Sequence, residues 1–425
     1  MNYTQNQKIE QVTETTLVVG VDIGSTKQYA RAFDWRGREV SRVFTFMDCR
    51  DGYELFLKWM QELQSERGKD KIMVGCEPTG HYWFGLRDFL DAADIPLVLV
   101  NPLHVKKSKE LDDNNQTKND RKDPKVIARL VMEGRYSVPY IPRGVYADLR
   151  GLWRLRQNLV DEEITIRNRM ARWFKIYFPE YTHVYNDLYA KSSIALLETA
   201  CLPEDILKLG VDGVVKIWRA MKLRAVGEKR AKTLLAAAAR STGQKEGAIA
   251  ARMELQMLLK QWEFCHAQHE QLHDQIDGLL AKIPESRFLL SIRGIGMTTV
   301  AGFLAEVGDI RRFRSPKQVI KLAGLSLREN SSGKHKGQTT ISKRGRARLR
   351  KLLFNGVIPL LATNDAFKGL HEYYTTRKQN PLKKKQSVIA ICCKLVRIFY
   401  ALLTKGIAFD SSKMLGDIHR PAVAI

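Results

Sequence analysis

The stretch Leu17-Val18-Val19-Gly20-Val21-Asp22-Ile23-Gly24 decides how the N-terminal part of the chain folds, because its aliphatic run predicts a buried strand. The segments after it are, in chain order, strands at 29–33 and 43–47, a helix at 51–65, a strand at 72–76, a helix after Gly80 and a strand at 97–100. Three strands followed by helix, strand, helix and strand predict an RNase H-like α/β domain over residues 17–147.

Downstream of residue 147 the strand pattern gives way to helical periodicity. Leucines from Leu149 to Leu159, and apolar residues from Leu255 to Ile283, recur mostly at spacings of three and four, which is typical of long packed helices. We therefore predict an α-helical coiled-coil region over 148–285, with an insert at about 181–245, and a mostly α C-terminal domain over 286–410. Residues 1–16 are predicted to be a mobile tail and 411–425 a second tail. The heptads fit an intramolecular hairpin and an intermolecular pair equally well.

The composition points to a polyanionic partner. The 425 residues include 70 Lys and Arg against 46 Asp and Glu, which gives a net charge of +24. A charge of this size attracts phosphates, so nucleic acid is the expected partner. The run from Lys334 to Lys351 contains eight basic residues and no acid, and it fits either a phosphate-binding face or a solvated basic helix.

Cysteine usage and apolar run lengths indicate the compartment. The six cysteines form no CxxC pair, which argues against a zinc ribbon and favours buried thiols in a reducing cytosol. Apolar runs such as 388–393 are far shorter than the roughly 20 residues that a membrane span requires. We therefore expect a cytoplasmic protein without a membrane partner.

Four acids carry the candidate chemistry. Asp22 lies within an apolar strand, where an unpaired carboxylate is costly, and Glu77 follows the strand at 72–76. Asp120 and Asp123 are three residues apart at the start of a helical pattern. Strand ends at one sheet edge, crossed by a helix, could bring all four together around Mg²⁺ or Mn²⁺. Taken singly, each acid also fits a turn or a helix-capping position.

These motifs resemble one known family. The resemblance is carried by GVDIG with Asp22, CEPTGHYW with Glu77, NPLHVKK, KNDRKDPKVIARL with Asp120 and Asp123, and, farther on, SIRGIGMTTVAGFLAEVG and SSGKHKG. The chain is similar over most of its length to the DEDD transposases of insertion sequences, also called bridge-RNA-guided recombinases. Asn119 and Pro124 replace the family's usual Thr and Ala. The resemblance implies a RuvC-like N-terminal domain whose four acids are catalytic and bind metal.

The resemblance also implies a second catalytic domain. Its serine is Ser332, in the motif Ser332-Gly333, with Ser331 as the adjacent alternative. The residues that we expect to contact nucleic acid are Lys334, Lys336, Lys343, Arg344, Arg346 and Arg348. In this family the serine attacks DNA, a noncoding guide RNA pairs with donor and target DNA, and the protein assembles as a tetramer, a dimer of dimers. The helices at 148–180 and 247–283 would be its dimerising arms.

Two other readings remain open at this point. VGVDIGSTK also resembles the first phosphate loop of actin-like sugar kinases, although no second phosphate loop follows and a charge of +24 is unexpected there. The third reading is a RuvC-like junction nuclease or nucleic-acid-binding protein that uses the acids but not Ser332, and therefore transfers no strand.

Overall fold

A computed structural model describes residues 4–112, 122–223, 226–328, 331–332, 335–337 and 339–415. The chain divides into two compact units, the first ending at Ile141 and the second beginning at Pro142. The predicted boundary at residue 147 falls a few residues later, inside a helix that begins at Val145. Each unit is described by itself below.

The first unit is built on a six-stranded mixed sheet. Its elements are α1 (Gln5–Ile9), β1 (Thr16–Ile23), β2 (Lys27–Phe33), β3 (Phe44–Met47), α2 (Arg50–Glu66), β4 (Lys71–Cys76), α3 (Phe84–Ala92), β5 (Leu97–Val100), α4 (Pro102–Asp112), α5 (Asp123–Met132) and β6 (Tyr136–Ser137). The strand order is β3-β2-β1-β4-β5-β6. Strands β1, β4 and β5 run parallel, and β2, β3 and β6 are antiparallel to their neighbours. The N-terminal unit is therefore an α/β domain, as the sequence predicts.

Helix α5 packs unusually close to the sheet because two strand residues lack side chains. A Cβ atom on Gly20 of β1 would overlap the carbonyl oxygen of Pro124, and one on Gly75 of β4 would overlap the side chain of Val131. The face of α5 toward the sheet is apolar, with Ile127 fully buried. The close approach places the first turn of α5 against β1, near the strand end that carries Asp22.

Residues 4–16, predicted to belong to a mobile tail, instead contain a helix bound to the rest of the unit. Thr4 and Gln7 form a capping box at the start of α1, which compensates for its lack of buried residues. The Lys8 ammonium donates to the Tyr136 carbonyl, and the Tyr136 hydroxyl donates to the Lys8 carbonyl at 3.2 Å. These polar contacts order the segment, and no apolar periodicity in the sequence could have revealed them.

The second unit begins with a long helical hairpin and its insert. The elements are α6 (Val145–Tyr177), α7 (Tyr181–Val184), α8 (Lys191–Thr199), α9 (Pro203–Ala220), α10 (Glu228–Ala239) and α11 (Ala248–Ala281). Helices α6 and α11 are antiparallel, since the Trp173 indole N–H near the end of α6 donates to the Ala251 carbonyl near the start of α11, at 2.9 Å. The other ends of the two helices meet where Trp153 and Ile276 share a core. The insert α7–α10 therefore lies at the tip of the hairpin.

The rest of the second unit is mostly helical. Its elements are α12 (Ser286–Leu290), α13 (Met297–Val307), a 3₁₀ turn (Ile310–Arg312), α14 (Pro316–Leu322), β7 (Leu327–Arg328), β8 (Ser331–Ser332), β9 (His335–Lys336), β10 (Thr340–Ile341), α15 (Ala347–Thr363), α16 (Asp365–Thr376), α17 (Lys384–Lys405) and α18 (Ser411–Leu415). One apolar core joins these helices to the base of the hairpin. Met414 of α18 is buried in it, so residues 411–415 are not part of a free tail.

Helix α17 is longer and more apolar than the sequence runs suggested. Its 22 residues make it the one candidate for a membrane span within the part of the chain that the structure describes. Nine of these residues are buried, including Ile391, Leu395 and Phe399, which lie in the C-terminal core. Packing inside this core accounts for the apolar composition of the helix.

Candidate active site

Asp22 and Glu77 lie at the same edge of the N-terminal sheet. Strands β1 and β4 are parallel and in register, with Val21 opposite Cys76 as their last aligned pair. Asp22 and Glu77 are the next residues on the two chains, and both are half-buried. The carboxyl ends of parallel strands are the usual place for functional groups in an open α/β sheet. The expected convergence of these two positions is therefore present.

Asp123 reaches the neighbourhood of Glu77 from helix α5. Burial raises the pKa of Glu77, the positive charge of Lys109 opposes that increase, and the negative charge of Asp123 adds to it. Lys109 of α4 also forms an ion pair with Asp123, whose side chain is only 16% exposed. The Lys109 ammonium group therefore acts on both carboxylates.

Lys109 is a site residue that sequence reasoning missed. Its only signal was its place in the basic stretch Lys106-Lys107-Ser108-Lys109, which precedes the predicted pair of acids. Helix α4 follows the strand end at Val100, so it begins at the same edge of the sheet as the acids. The fold therefore places the Lys109 ammonium group beside Asp123 and Glu77, whereas the sequence predicted only the carboxylates of this site.

The donor set fits a hard divalent cation. Carboxylate oxygens are the preferred ligands of Mg²⁺ and Mn²⁺, and the charge of Asp123 already makes it costly for Glu77 to ionise. Among the described residues, no group of three or more acids, histidines or cysteines is close enough to hold a metal ion. Asp120 lies outside the described residues, so the predicted four-acid set stays a prediction.

Ser332 lies in the second unit, in a strand rather than in the polar loop that its sequence suggested. Strands β8 and β9 pair in antiparallel register, with Ser331 opposite Lys336 and Ser332 opposite His335. Their side chains lie outside the described part of the chain, as do residues 333 and 334. The backbone of Ser332 therefore belongs to a short antiparallel pair of strands, separate from the other sheets.

The predicted nucleic-acid contacts fall into two groups. Lys343 and Arg344 are exposed, and Arg348 is exposed with one contact, 3.4 Å from its guanidinium to the Asn158 side-chain oxygen. Arg346 is different, because its guanidinium lies 3.2 Å from the Glu306 carboxylate and also donates to the Glu306 carbonyl. The side chains of Lys334 and Lys336 lie outside the described residues.

The role of Arg346 follows from the end of helix α13. The last carbonyls of a helix lack partners within the helix and are favoured sites for cations. The Arg150 Nε donates to the Ala305 carbonyl at 2.9 Å, and the Arg312 Nε donates to the Val307 carbonyl at 3.2 Å. Arg346 completes this set at Glu306, so it serves the fold and is not a freely available phosphate ligand.

Two family models match the chain in separate regions. A DEDD transposase model of the IS110 type, described as a transposase, matches residues 19–179. A model described as the transposase IS116/IS110/IS902 family matches residues 286–374. The first region contains all four predicted acids and the second contains Ser332, whereas residues 180–285 fall outside both.

Curated relatives give the same picture. The pilin gene-inverting protein of Moraxella lacunata is 33% identical over 146 residues, which cover 33% of this chain and 44% of that protein. An uncharacterized 43.6 kDa protein of insertion element IS110 from Streptomyces coelicolor is 23% identical over 71% of this chain and 74% of its own. The IS1111A transposase of Coxiella burnetii is 34% identical over 27% of this chain and 32% of its own. The chain spans less than half of the pilin gene-inverting protein.

Proposed function

Because the chain belongs to the IS110 family of DEDD transposases, we propose that it breaks and rejoins DNA strands as an insertion-sequence transposase or recombinase. The observation that carries the proposal is the division of the predicted chemistry between the two matched regions, with the acids in 19–179 and Ser332 in 286–374. A net charge of +24 supports DNA as the substrate. A relative named for inverting a pilin gene supports rearrangement of DNA as the outcome.

We propose that the first unit is the RuvC-like, RNase H-like metal domain. Its strand order β3-β2-β1-β4-β5, with acids after the ends of the parallel strands β1 and β4, supports that assignment. Asp22, Glu77, Asp120 and Asp123 would hold Mg²⁺ or Mn²⁺. When bound, such a cation would make a hydroxyl a better nucleophile and stabilise the oxygen that leaves phosphorus. Lys109 would orient the Asp123 carboxylate through their ion pair.

The reaction that we propose begins at Ser332. Its hydroxyl oxygen attacks a DNA phosphorus and loses its proton to solvent, and a phosphoserine ester forms. The bond from phosphorus to the sugar oxygen breaks, and that oxygen takes up a proton from solvent and leaves as a hydroxyl. A hydroxyl on a second strand then attacks the ester and releases the serine. The energy of the phosphodiester is retained, so no ATP is needed. The exposed cations Lys343 and Arg344 would help to neutralise phosphate charge near this step.

We further propose that sequence choice resides in a noncoding guide RNA and that the working form is a homo-oligomer, a dimer of dimers. The protein would then read the backbone and the shape of the duplexes, while base pairing reads the sequence. Sequencing of the nucleic acid that copurifies with the expressed protein tests the guide. Recovery of only random cellular RNA would contradict it.

The covalent step has a direct test. A DNA substrate nicked near the crossover should trap a denaturant-resistant protein–DNA adduct, and Ser332→Ala should abolish it while Ser331→Ala retains it. Mass spectrometry that places the DNA on Ser331 would move the nucleophile by one residue. Cleavage to free ends without any adduct would favour the junction nuclease, and ATP hydrolysis without DNA cleavage would favour the kinase.

A further inference from the structure

The insert at the tip of the helical hairpin lies outside both matched family regions and carries its own concentration of positive charge. Residues 213–245 include nine Lys and Arg but a single acid, Glu228. Helices α9 and α10 pack on a shared core through Trp218 and Leu234. The charge therefore belongs to a folded helical pair.

Among the residues that the structure describes, four cations lie at the end of this pair where the chain turns. Lys216 and Arg219 occupy the last turns of α9, Lys222 follows that helix, and Lys229 lies in the first turn of α10. We call these four residues the insert turn patch. All four are exposed. Within the described residues, none of them forms an ion pair with an acid. Their charge is thus free to act on a partner.

Two neighbouring cations are already in use and do not belong to the patch. Arg230 stacks 4.6 Å from the centre of the Tyr185 ring and donates to the Val184 carbonyl at 3.4 Å. Lys232 lies 3.6 Å from the Glu228 carboxylate. The insert therefore contains cations that already have a partner and cations that have none among the described residues, as Arg346 and Lys343 differ in the C-terminal segment.

The first turn of α10 adds main-chain donors to the patch. Its N-cap is Gly227, in an extended conformation, so no side chain caps the helix. A Cβ atom at Gly227 would meet no atom of the described residues within 4 Å. The Arg230 and Ala231 amides donate to the Gly227 carbonyl, whereas helix geometry leaves the Glu228 and Lys229 amides without an acceptor inside the helix. These amides and the positive end of the helix dipole favour an anion.

The insert repeats a pattern found in the C-terminal domain. Gly296 is likewise the extended, side-chain-free N-cap of α13, with open space around its Cβ position. Four and seven residues after each glycine, buried apolar residues anchor the helix: Ala231 and Leu234 in α10, Val300 and Phe303 in α13. The chain thus carries two helix–glycine turn–helix units of the same outline, and the one in the insert is flanked by free lysines.

We propose that the insert turn patch binds the phosphate backbone of a nucleic-acid duplex, as a contact separate from the basic segment at 343–348. Lysines act as point charges on phosphate and main-chain amides can donate to its oxygens, so the contact would be indifferent to base sequence. The contact is independent of the serine chemistry proposed above. It would hold DNA or RNA at the hairpin tip, far along the chain from Ser332.

A charge-neutralised variant tests the patch in the full-length protein. We compare Lys216→Gln/Lys222→Gln/Lys229→Gln with a control of equal charge, Lys191→Gln/Lys260→Gln/Lys405→Gln, whose lysines are also exposed in the second unit. Both are made in a Ser332→Ala background, so the readout cannot depend on cleavage. Binding to short DNA and RNA duplexes of arbitrary sequence is followed by fluorescence anisotropy across a salt series.

The patch variant should bind about tenfold more weakly at low salt, and its log–log salt slope on DNA should fall by up to about 3, at roughly 0.9 per lost phosphate contact. The control should retain the wild-type slope. A loss of affinity for the DNA duplex alone, or for the RNA duplex alone, would support the proposal and identify which duplex the patch binds. Wild-type affinity and slope on both duplexes, or an equal loss in the control, would overturn the proposal.

A second pair of variants excludes misfolding as the cause. Asn and Asp are both favoured N-cap residues, so Gly227→Asn and Gly227→Asp should each preserve or strengthen α10. Only Gly227→Asp adds a negative charge at the turn, and it should weaken duplex binding severalfold while Gly227→Asn leaves it near wild type. Equal affinity of the two variants would argue against an anion at this helix end.

Discussion

Gly20 of β1 lies directly against the carbonyl of Pro124 in the first turn of α5, so close that a methyl group at position 20 would overlap the carbonyl oxygen. This contact sets how deeply α5 can sit on the sheet. Asp123 immediately precedes Pro124, and Asp22 follows Gly20 by two residues. One glycine therefore governs the approach of the helix that carries one candidate metal ligand to the strand that carries another.

We predict that Gly20→Ala lowers the free energy of unfolding by about 1–3 kcal/mol, because overpacking forces α5 away from β1. Strand exchange should fall as well, since Asp123 moves with the helix. The matched control is Gly151→Ala, at an exposed position of α6 where a Cβ atom would meet no described atom within 4 Å. There the higher helix propensity of alanine should raise the free energy of unfolding by about 0.5–1 kcal/mol. Urea denaturation measures both variants. Equal stability of Gly20→Ala and wild type would show that α5 is not held by this contact.

The acids give a prediction about activity. Asp22→Asn, Glu77→Gln, Asp120→Asn and Asp123→Asn should each reduce strand exchange at least about a hundredfold, because each removes a charge from the proposed metal site. Folding and RNA binding should persist, since removing one of several clustered negative charges relieves repulsion. Glu62→Gln, at an exposed position of α2, is the control and should retain activity. Wild-type exchange in any of the four variants would remove that residue from the site.

A third prediction concerns the Arg346–Glu306 ion pair. Its carboxylate side chain is 12% exposed and its guanidinium side chain 31%, so the pair is partly shielded from water. A double-mutant cycle with Arg346→Ala and Glu306→Ala should give a coupling free energy of about 1–2 kcal/mol. Arg348→Ala, two residues away and exposed, should cost less than about 0.5 kcal/mol of stability. A cost for Arg348→Ala that matches Arg346→Ala would refute the separation of structural and free cations.

The fourth prediction is a pH dependence at the joint between α6 and the insert. Burial opposes ionisation of Glu180, but hydrogen bonds from Ser241 and Thr242 outweigh it and bring its pKa to about 2. The Ser241 hydroxyl donates at 2.6 Å and the Thr242 amide at 2.9 Å. Because the folded pKa lies below the ordinary value of 4.5, the ionised group stabilises the joint above that pH and loses this effect as pH falls toward 2.

Glu180→Gln should therefore weaken protection of the Thr242 amide from hydrogen exchange at pH 7, by about 1 kcal/mol. The difference from wild type should shrink below about pH 4.5 and vanish only below about pH 2. Glu228→Gln, which loses only an exposed i,i+4 pair, should leave this amide unchanged at every pH. A difference that grew as the pH fell would have the wrong sign for this mechanism.

The strands could be predicted from the sequence where their apolar residues are continuous. The run at 17–24 became β1 (Thr16–Ile23), and 97–100 became β5 (Leu97–Val100). Strand β6 was missed because two residues carry no detectable period, and α4 was missed because its sequence is polar and only weakly amphipathic. The spacing of apolar residues therefore predicts an element only where one face of that element is buried.

The candidate site could be predicted only as a set of acids. Asp22 and Glu77 follow from strand ends, since register brings strand ends together. Lys109 could not be foreseen, because nothing local indicates that α4 will place an ammonium group beside Asp123. The same holds for Arg346, which looks like one more cation in a basic run until α13 supplies Glu306. Ion-pair partners that are distant in the sequence are brought together by tertiary packing, and the spacing of residues in the sequence does not predict them.

The insert lies at the far end of a long helical hairpin, so a small rotation at the base of the hairpin would displace the insert by many ångströms. Helix α6 has 33 residues, about 50 Å at 1.5 Å per residue, and its base is fixed in the C-terminal core by Trp153 while the insert occupies the far end. A tilt of about 10° at that base would sweep the tip through roughly 9 Å, the rise of two to three base pairs at 3.4 Å each. A small repacking around Trp153 would therefore displace the insert by a distance comparable to two to three base pairs.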